Sequence, residues 1–366
     1  MTTVAMIGLG SVVRHIHMPA FQALKDKVQV IAGCDRDSAA RDHAAKKWGF
    51  QVFADAREML AKTKPEVVAV CTPPWMHREH LALALEHGCH VFCEKPLADN
   101  LTDANEMVLA AEKAGRTVAI NNQFPYMNIH LGAKKAIGSP EFGDLLYLHA
   151  WHTMRPTKET EAGWRGELAR RLCFEFGVHV FELVRFFFED DPVRLLAHMP
   201  NPRGKADCDV INVITLEFAD GRGASILLDR LSRGPERYLD MRLDGESAIV
   251  HTSIGGEVRL QGGLHTKDRR PFVSFDFVKG GKAVLQRGSK SKVIAKDGLN
   301  PFGDAMVHHF SNFLRAIAEG GKPPGDIRDN LKTFALVMAA YDSAASGQWI
   351  DMKKYLDSPV GANSKA

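Results

Sequence analysis

Residues 4–13, Val-Ala-Met-Ile-Gly-Leu-Gly-Ser-Val-Val, constrain the fold of this chain more than any other segment. An apolar run leads directly into two glycines one residue apart, and the residues beyond suit a helix. A strand that must turn this sharply into a helix needs glycine, which reaches positive φ without a Cβ clash. Gly8 would make the turn. Gly10 would let the backbone approach a pyrophosphate resting on the helix N-terminus, beside Ser11 and Val12. The third glycine of the full fingerprint is replaced by Val13, so strand and helix must accommodate a larger side chain there.

Asp35 ends the second apolar run, 25 residues after Gly10. A carboxylate at that place accepts hydrogen bonds from ribose hydroxyls and repels a 2′-phosphate, which favours NAD. Arg36 follows at once and could hold such a phosphate, so NADP is the lesser alternative.

The alternation continues through the first third. Residues 4–7, 28–33, 67–71, 90–93 and 117–120 are almost wholly apolar, with helical patterns between them, such as 77–86 and 102–114. This predicts an α/β unit, a doubly wound parallel sheet covered by helices on both faces. Thr102 and Glu106 suggest a helix start and Gly115 its stop. After about residue 122 the texture changes. Helices are expected at 128–137 and 177–188, and strands at 145–151, 193–199, 210–218, 223–229, 238–243 and 247–251. Asp220-Gly221 and Asp244-Gly245 mark turns between antiparallel neighbours. Two long helices, 304–319 and 328–346, follow, and 358–366 should fray. The basic, glycine-rich stretches 262–270 and 279–296 read as loops or exposed edge strands. The expected division is residues 1–122 for the dinucleotide and 123–366 for substrate and subunit contacts.

At 366 residues the chain is long enough for two domains. Lys plus Arg total 47 against 44 Asp plus Glu, so there is no chain-wide electrostatic case for nucleic acid or a membrane surface. No apolar run reaches the roughly 18 residues of a membrane span, and the N-terminus reads as a strand, not a signal peptide. The six cysteines form no CxxC pair. Cys34, Cys71 and Cys93 sit in strand-like runs as small hydrophobes. A cytoplasmic, reduced protein without a structural metal is expected.

Two further motifs follow strand ends, where open α/β sheets bind ligands. One is Thr72-Pro73-Pro74-Trp75-Met76-His77; the other is Glu94-Lys95-Pro96. With the Gly-Leu-Gly turn and Asp35, these make the chain resemble the glucose–fructose oxidoreductase and inositol dehydrogenase family, Gfo/Idh/MocA, over nearly its whole length. The resemblance places Lys95 at the active site, with a cis bond to Pro96, and puts Thr72, Pro73, His77 and Glu94 around the cofactor. The second signature of the family stands here as Glu175-Phe176-Gly177-Val178-His179, with Glu182 beyond it. His179 matches the catalytic histidine, and Glu175 and Glu182 replace aspartates. Helical spacing would let all three share a face. Trp164-Arg165 matches a pair near the substrate pocket, and Gln123 stands where an arginine is frequent.

The resemblance implies a second domain with a large, open, mostly antiparallel sheet, a homodimer or homotetramer, and hydride transfer from a secondary hydroxyl of a sugar or cyclitol. His179 would move the hydroxyl proton, Lys95 would polarise the oxygen, and Glu175 would orient the imidazole. Arg155, Arg165, Arg170 and Arg171 suggest an anionic substrate, with exposed surface arginines as the alternative. A redox-assisted glycosidase, oxidising its sugar transiently, is a second reading of the same residues. A non-catalytic NAD-binding regulator is a third.

Overall fold

The computed structural model describes residues 1–157, 161–202, 208–233, 237–255, 258–264, 271–277 and 281–357. The terminal stretch 358–366 and the basic residues 265–270 and 279–280 lie outside these.

The first six strands, β1 (Thr2–Ile7), β2 (Val28–Cys34), β3 (Gln51–Phe53), β4 (Val67–Val70), β5 (His90–Glu94) and β6 (Val118–Asn121), form one sheet in the order β3-β2-β1-β4-β5-β6. Every pairing in it is parallel. The order reverses between β1 and β4, so a crevice opens at the carboxyl ends of those strands. Alternate residues bury into opposite faces, as the apolar strands require. Ala5, Val68, Val91 and Val118 enter one core; Val4, Val67, Phe92 and Ala119 enter the other.

Three elements here were not evident from patterning: strand β3 and the helices Ser38–Trp48 and Ala56–Thr63. The first helix buries only Ala40 and Ala44, and alanine gives little amphipathic contrast. The helix Leu101–Ala114 ends at Gly115 as expected, but its cap is Asn100, whose side chain accepts from Asp103 N–H at 2.9 Å.

Among the described residues, the second sheet contains nine strands in the order β16-β15-β12-β11-β7-β10-β9-β8-β17. They are β7 (Leu145–Met154), β8 (Arg194–His198), β9 (Ile211–Glu217), β10 (Gly223–Asp229), β11 (Arg237–Gly245), β12 (Ile249–Ile254), β15 (Lys282–Arg287), β16 (Lys290–Lys296) and β17 (Ile350–Asp351). A separate hairpin holds β13 (Val258–Leu264) and β14 (Pro271–Phe277). All pairings are antiparallel except β7 with β10. The turn at Asp220-Gly221 joins β9 and β10, whereas Gly245 closes β11 at a register shift and the turn falls just after it. The basic stretch 282–296 forms two strands, of which β16 is the sheet edge and β15 is paired on both sides. The inner face buries Leu148, Ile214, Leu216, Ile226 and Leu243, while Trp151 and Val213 are exposed on the outer one.

The C-terminal helices return to the first sheet. Met306, Phe310 and Phe313, from the helix Pro301–Glu319, enter the core that holds Val4, Phe21 and Phe92. Each buried phenylalanine contributes about 1.5–3 kcal/mol. The segment before helix Ile327–Ser346 extends the sheet edge, with Ile120 N–H donating to Gly325 C=O at 2.8 Å. Among the described residues, no helix is long and apolar enough to cross a membrane. All six cysteines are free thiols.

Candidate active site

A cavity of about 1010 Å3 opens at the carboxyl ends of β1, β4 and β5 and runs to the segment 164–179. Its first wall begins at Gly8, which has φ +92° and lies so close to β4 that a Cβ would stand 2.8 Å from Cys71 O. At Gly10 nothing lies within 4 Å of where a Cβ would be, so the backbone is bare on the cavity side. Val13, which stands where the third glycine would be, is fully buried, and the helix opens with a π turn, Val13–His17. Asp35 holds the turn as well as facing the cavity. Leu9 N–H donates to its Oδ2 at 2.8 Å and Asp37 N–H to its Oδ1 at 2.9 Å. A bare glycine backbone, a helix start and a carboxylate at the end of β2 fit a dinucleotide.

Lys95 follows β5 through a cis peptide bond to Pro96. Its Nζ donates to the Glu175 carbonyl at 2.8 Å. Beneath it, Glu94 is nearly buried. Its Oε1 accepts from His17 Nε2 and from Asn121 Nδ2, each at 2.7 Å. Burial would raise the Glu94 carboxyl, but the His17 and Asn121 hydrogen bonds and nearby positive charge outweigh it and hold the pKa below the ordinary value. Burial works against charge on His17, yet Cys71 and Glu94 raise its pKa to about 10.

The opposite wall is the π turn Leu172–Gly177 running into the helix Val178–Phe188. His179 is 1% exposed and stacks on Phe124, with ring centroids 3.9 Å apart and planes 8° from parallel. Phe124 also contacts Phe302, with centroids 5.6 Å apart. Glu175 points its carboxylate at arginines. Arg165 Nε donates to Oε1 at 2.8 Å, and Arg171 Nε lies 3.4 Å from Oε2. The guanidinium of Arg165 lies over Trp164 at 4.3 Å, and Trp164 meets Trp75 edge-on at 5.2 Å.

Of the residues singled out from sequence, Gly8, Gly10, Ser11, Val12, Asp35, Arg36, Thr72, Pro73, Glu94, Lys95, Gln123, Trp164, Arg165, Glu175 and His179 all line this cavity. His77 is not among them. It is fully buried, with Nε2 2.8 Å from Thr72 O and Nδ1 3.2 Å from Leu97 O. It ties the loop after β4 to the loop after β5, and burial lowers its pKa. Nor does Glu182 share the site with Glu175 and His179. Glu182 lies in the same helix as His179, but its carboxylate turns to the helix Ile327–Ser346 and accepts from Thr333 Oγ1 at 2.5 Å. Of the four arginines, Arg165 reaches the cavity. Arg171 is buried against Glu161 and Glu175, Arg170 lies over Tyr341 at 5.2 Å, and Arg155 is exposed. Trp75, Arg57, His80 and Phe302 line the cavity without having been singled out. The signal for Trp75 was its place in the strand-end motif; Phe302 gave none, being 120 residues or more from its neighbours Phe124 and His179. Among the described residues, no cluster of His, Cys, Asp or Glu is arranged to hold a metal.

The N-terminal region, residues 2–122, matches the model of the oxidoreductase family with an NAD-binding Rossmann fold, GFO_IDH_MocA. Residues 130–251 match the C-terminal domain of the same family. A D-apiose dehydrogenase from Paraburkholderia graminis is 25% identical over 358 residues, covering 95% of this chain and 89% of that protein. An inositol 2-dehydrogenase from Rubrobacter xylanophilus is 24% identical over 322 residues, covering 87% of this chain and 84% of that one. In fold, the chain superposes on an oxidoreductase from Agrobacterium radiobacter, in complex with NAD+, L-tartaric acid and magnesium, with a TM-score of 0.81 at 21% identity, covering 96% and 98% of the two chains. The two matched regions take in most of the sequence, and the chain belongs to the GFO/IDH/MocA family of oxidoreductases.

Proposed function

We propose that this protein oxidises a secondary hydroxyl of a sugar, cyclitol or related polyol, reversibly and with NAD. The observation that carries the reading is the convergence of Lys95 and His179 on the cavity that starts at the glycine turn and Asp35. The similarity to an apiose and an inositol dehydrogenase supports the substrate class.

Gly8, Gly10, Ser11 and Val12 would hold the pyrophosphate, and Asp35 the adenosine ribose, which favours NAD over NADP. When bound, the nicotinamide supplies the hydride acceptor. The chain's own residues do the rest. Lys95 Nζ, fixed by the Glu175 carbonyl, donates to the reacting hydroxyl oxygen and stabilises negative charge as it develops there. His179 accepts the hydroxyl proton on an imidazole nitrogen and returns it in the reverse direction. Stacking on Phe124 fixes the plane of the ring, so the proton acceptor is oriented before substrate arrives. Glu175, engaged with Arg165 and Arg171, acts as a clamp on this wall. Residues 1–122 carry the cofactor and later residues most substrate contacts. The exposed outer face of the nine-stranded sheet, with Trp151 and Val213, pairs with a second copy; elution as a monomer at micromolar concentration would count against that.

The test is a screen of sugars, cyclitols, sugar acids and glycosides that follows NAD reduction and product mass together. A ketone product formed in step with NADH is expected. Aglycone release without NADH accumulation would overturn net oxidation in favour of redox-assisted cleavage. Lys95→Ala and His179→Ala should each lower kcat by about 10²–10⁴-fold while NAD still binds. Near-wild-type turnover in either variant would remove that residue from the mechanism.

A further inference from the structure

We infer that Asp209, which lies outside the cavity, is a positioning residue for Lys95, acting through the turn Leu172–Gly177. The inference rests on the role proposed above for Lys95.

A helical segment leaves its first N–H groups without partners inside the helix. Here one carboxylate and one phenol gather four in succession. Asp209 Oδ1 accepts from Arg171 N–H at 2.7 Å and from Leu172 N–H at 2.9 Å, and its Oδ2 accepts from Cys173 N–H at 2.9 Å. Phe174 N–H donates to the Tyr341 hydroxyl at 3.1 Å, and that hydroxyl donates onward to Asp209 Oδ2, also at 3.1 Å. Tyr341 can donate because its phenol stays protonated; burial and the Asp209 carboxylate hold its pKa far above the ordinary value. Three amides on one carboxylate make a charge-assisted anchor, stronger than neutral hydrogen bonds.

The next residue in the turn is Glu175, whose carbonyl accepts from Lys95 Nζ at 2.8 Å. The last anchored amide and the lysine's acceptor therefore belong to adjacent residues, Phe174 and Glu175. Asp209 precedes β9, and Tyr341 lies in the helix Ile327–Ser346, so two distant parts of the chain fix where this carbonyl stands. The Glu161 carboxylate also bridges Arg171 and Arg230, which ties the start of the turn to the residue that follows β10. A lysine side chain has four rotatable bonds and no preferred direction of its own. Its ammonium meets a reacting oxygen only if something holds it, and misplacement by about 1 Å can cost about 10²-fold in rate.

The experiment is a kinetic cycle of wild type, Asp209→Asn, Lys95→Ala and the double variant, measured as single turnovers with NAD affinity recorded for each. Asp209→Asn is expected to lower the turnover rate by about 10–100-fold and to leave NAD affinity unchanged. In the Lys95→Ala background it should have no further effect, because the group it positions is gone. A purely structural cap would give losses that multiply, and that result overturns the inference. So does wild-type turnover in folded Asp209→Asn. If Asp209→Asn does not fold, Tyr341→Phe, which removes a single member of the anchor, takes its place in the cycle, with an expected loss of about two- to fivefold that again vanishes without Lys95. Wild-type turnover in Lys95→Ala would instead bring down the proposed mechanism.

Discussion

The cavity wall that comes from the parallel sheet is held in shape by backbone, whereas the wall from residues 161–179 is held by side-chain charge. On the first wall, Gly8 sits against Cys71 O, Asp35 ties down two amides, and Lys95 leaves its strand through a cis bond. On the second, Glu161, Arg171, Glu175 and Arg165 form a chain of ion pairs whose two inner members, Arg171 and Glu175, are buried. A backbone-held wall tolerates changes of side chain but not of geometry. A charge-held wall tolerates small shifts of backbone but not the loss of one partner, since the group left behind is a buried, uncompensated charge.

Arg171→Ala should therefore have the largest effect on stability. It leaves Glu175 with the partly exposed Arg165 alone and Glu161 with Arg230 alone, and it should cost about 3 kcal/mol by urea unfolding, with NAD affinity retained once the protein is folded. Arg171→Met, which restores apolar volume, should recover little, because the glutamates remain. If Arg171→Ala unfolds at the wild-type urea midpoint, the second wall is not held by charge. Gly8→Ala is the matching test of the first wall. It forces a Cβ onto Cys71 O at a positive φ and should cost about 1–3 kcal/mol, with NAD affinity falling steeply. An alanine variant that binds NAD normally would break the comparison on the other side.

The pair His17–Glu94 is an ionic element within the backbone-held wall, and pH separates it from the rest. His17 has a folded pKa raised to about 10 from 6.5, so its contribution is complete below pH 6.5 and is lost as pH rises through about 10. Glu94 is lowered from 4.5, so its contribution is present above that value and is lost as pH falls through the folded pKa. Both act together between pH 4.5 and 6.5. The stability gap between wild type and His17→Gln should be larger at about pH 6 than at about pH 9. A gap that widens with pH would contradict a protonated His17. The smallest effect concerns the aromatic corner. Trp75→Ala removes the edge contact with Trp164 and should raise KM for the polyol by about threefold to tenfold, with little change in kcat. Unchanged KM would detach Trp75 from the substrate end of the cavity.

The same contrast explains which features could be read from sequence. Gly8, Gly10, Asp35 and Lys95 announce themselves because a turn, a strand end and a motif are local, and local geometry is written in neighbouring residues. His77 stood in the right motif but was turned inward by two backbone carbonyls, Thr72 O and Leu97 O, that no spacing reveals. Glu175 was read by its spacing from His179, and nothing in that spacing announces that Arg165 and Arg171 meet its carboxylate. Asp209 and Tyr341 are 132 residues apart and meet only through the folding of the second sheet. Their relation to Lys95 has no signature in one sequence. The parallel sheet was clear from its apolar strands, yet the helix Ser38–Trp48 was not, because two buried alanines carry almost no pattern.

The return of helix Pro301–Glu319 to the first sheet has a consequence for the order in which the protein is made. Phe21 and Phe92 are made well before Phe310, which packs on both with ring centroids 4.9 and 5.1 Å away. Domains ordinarily fold as they are synthesised, N-terminal first. Here the first sheet must wait for its final wall while residues 123–300 are still being added, with part of one apolar face uncovered. Interrupted synthesis, or truncation before residue 301, should yield a sheet that is threaded correctly but sticky on one side.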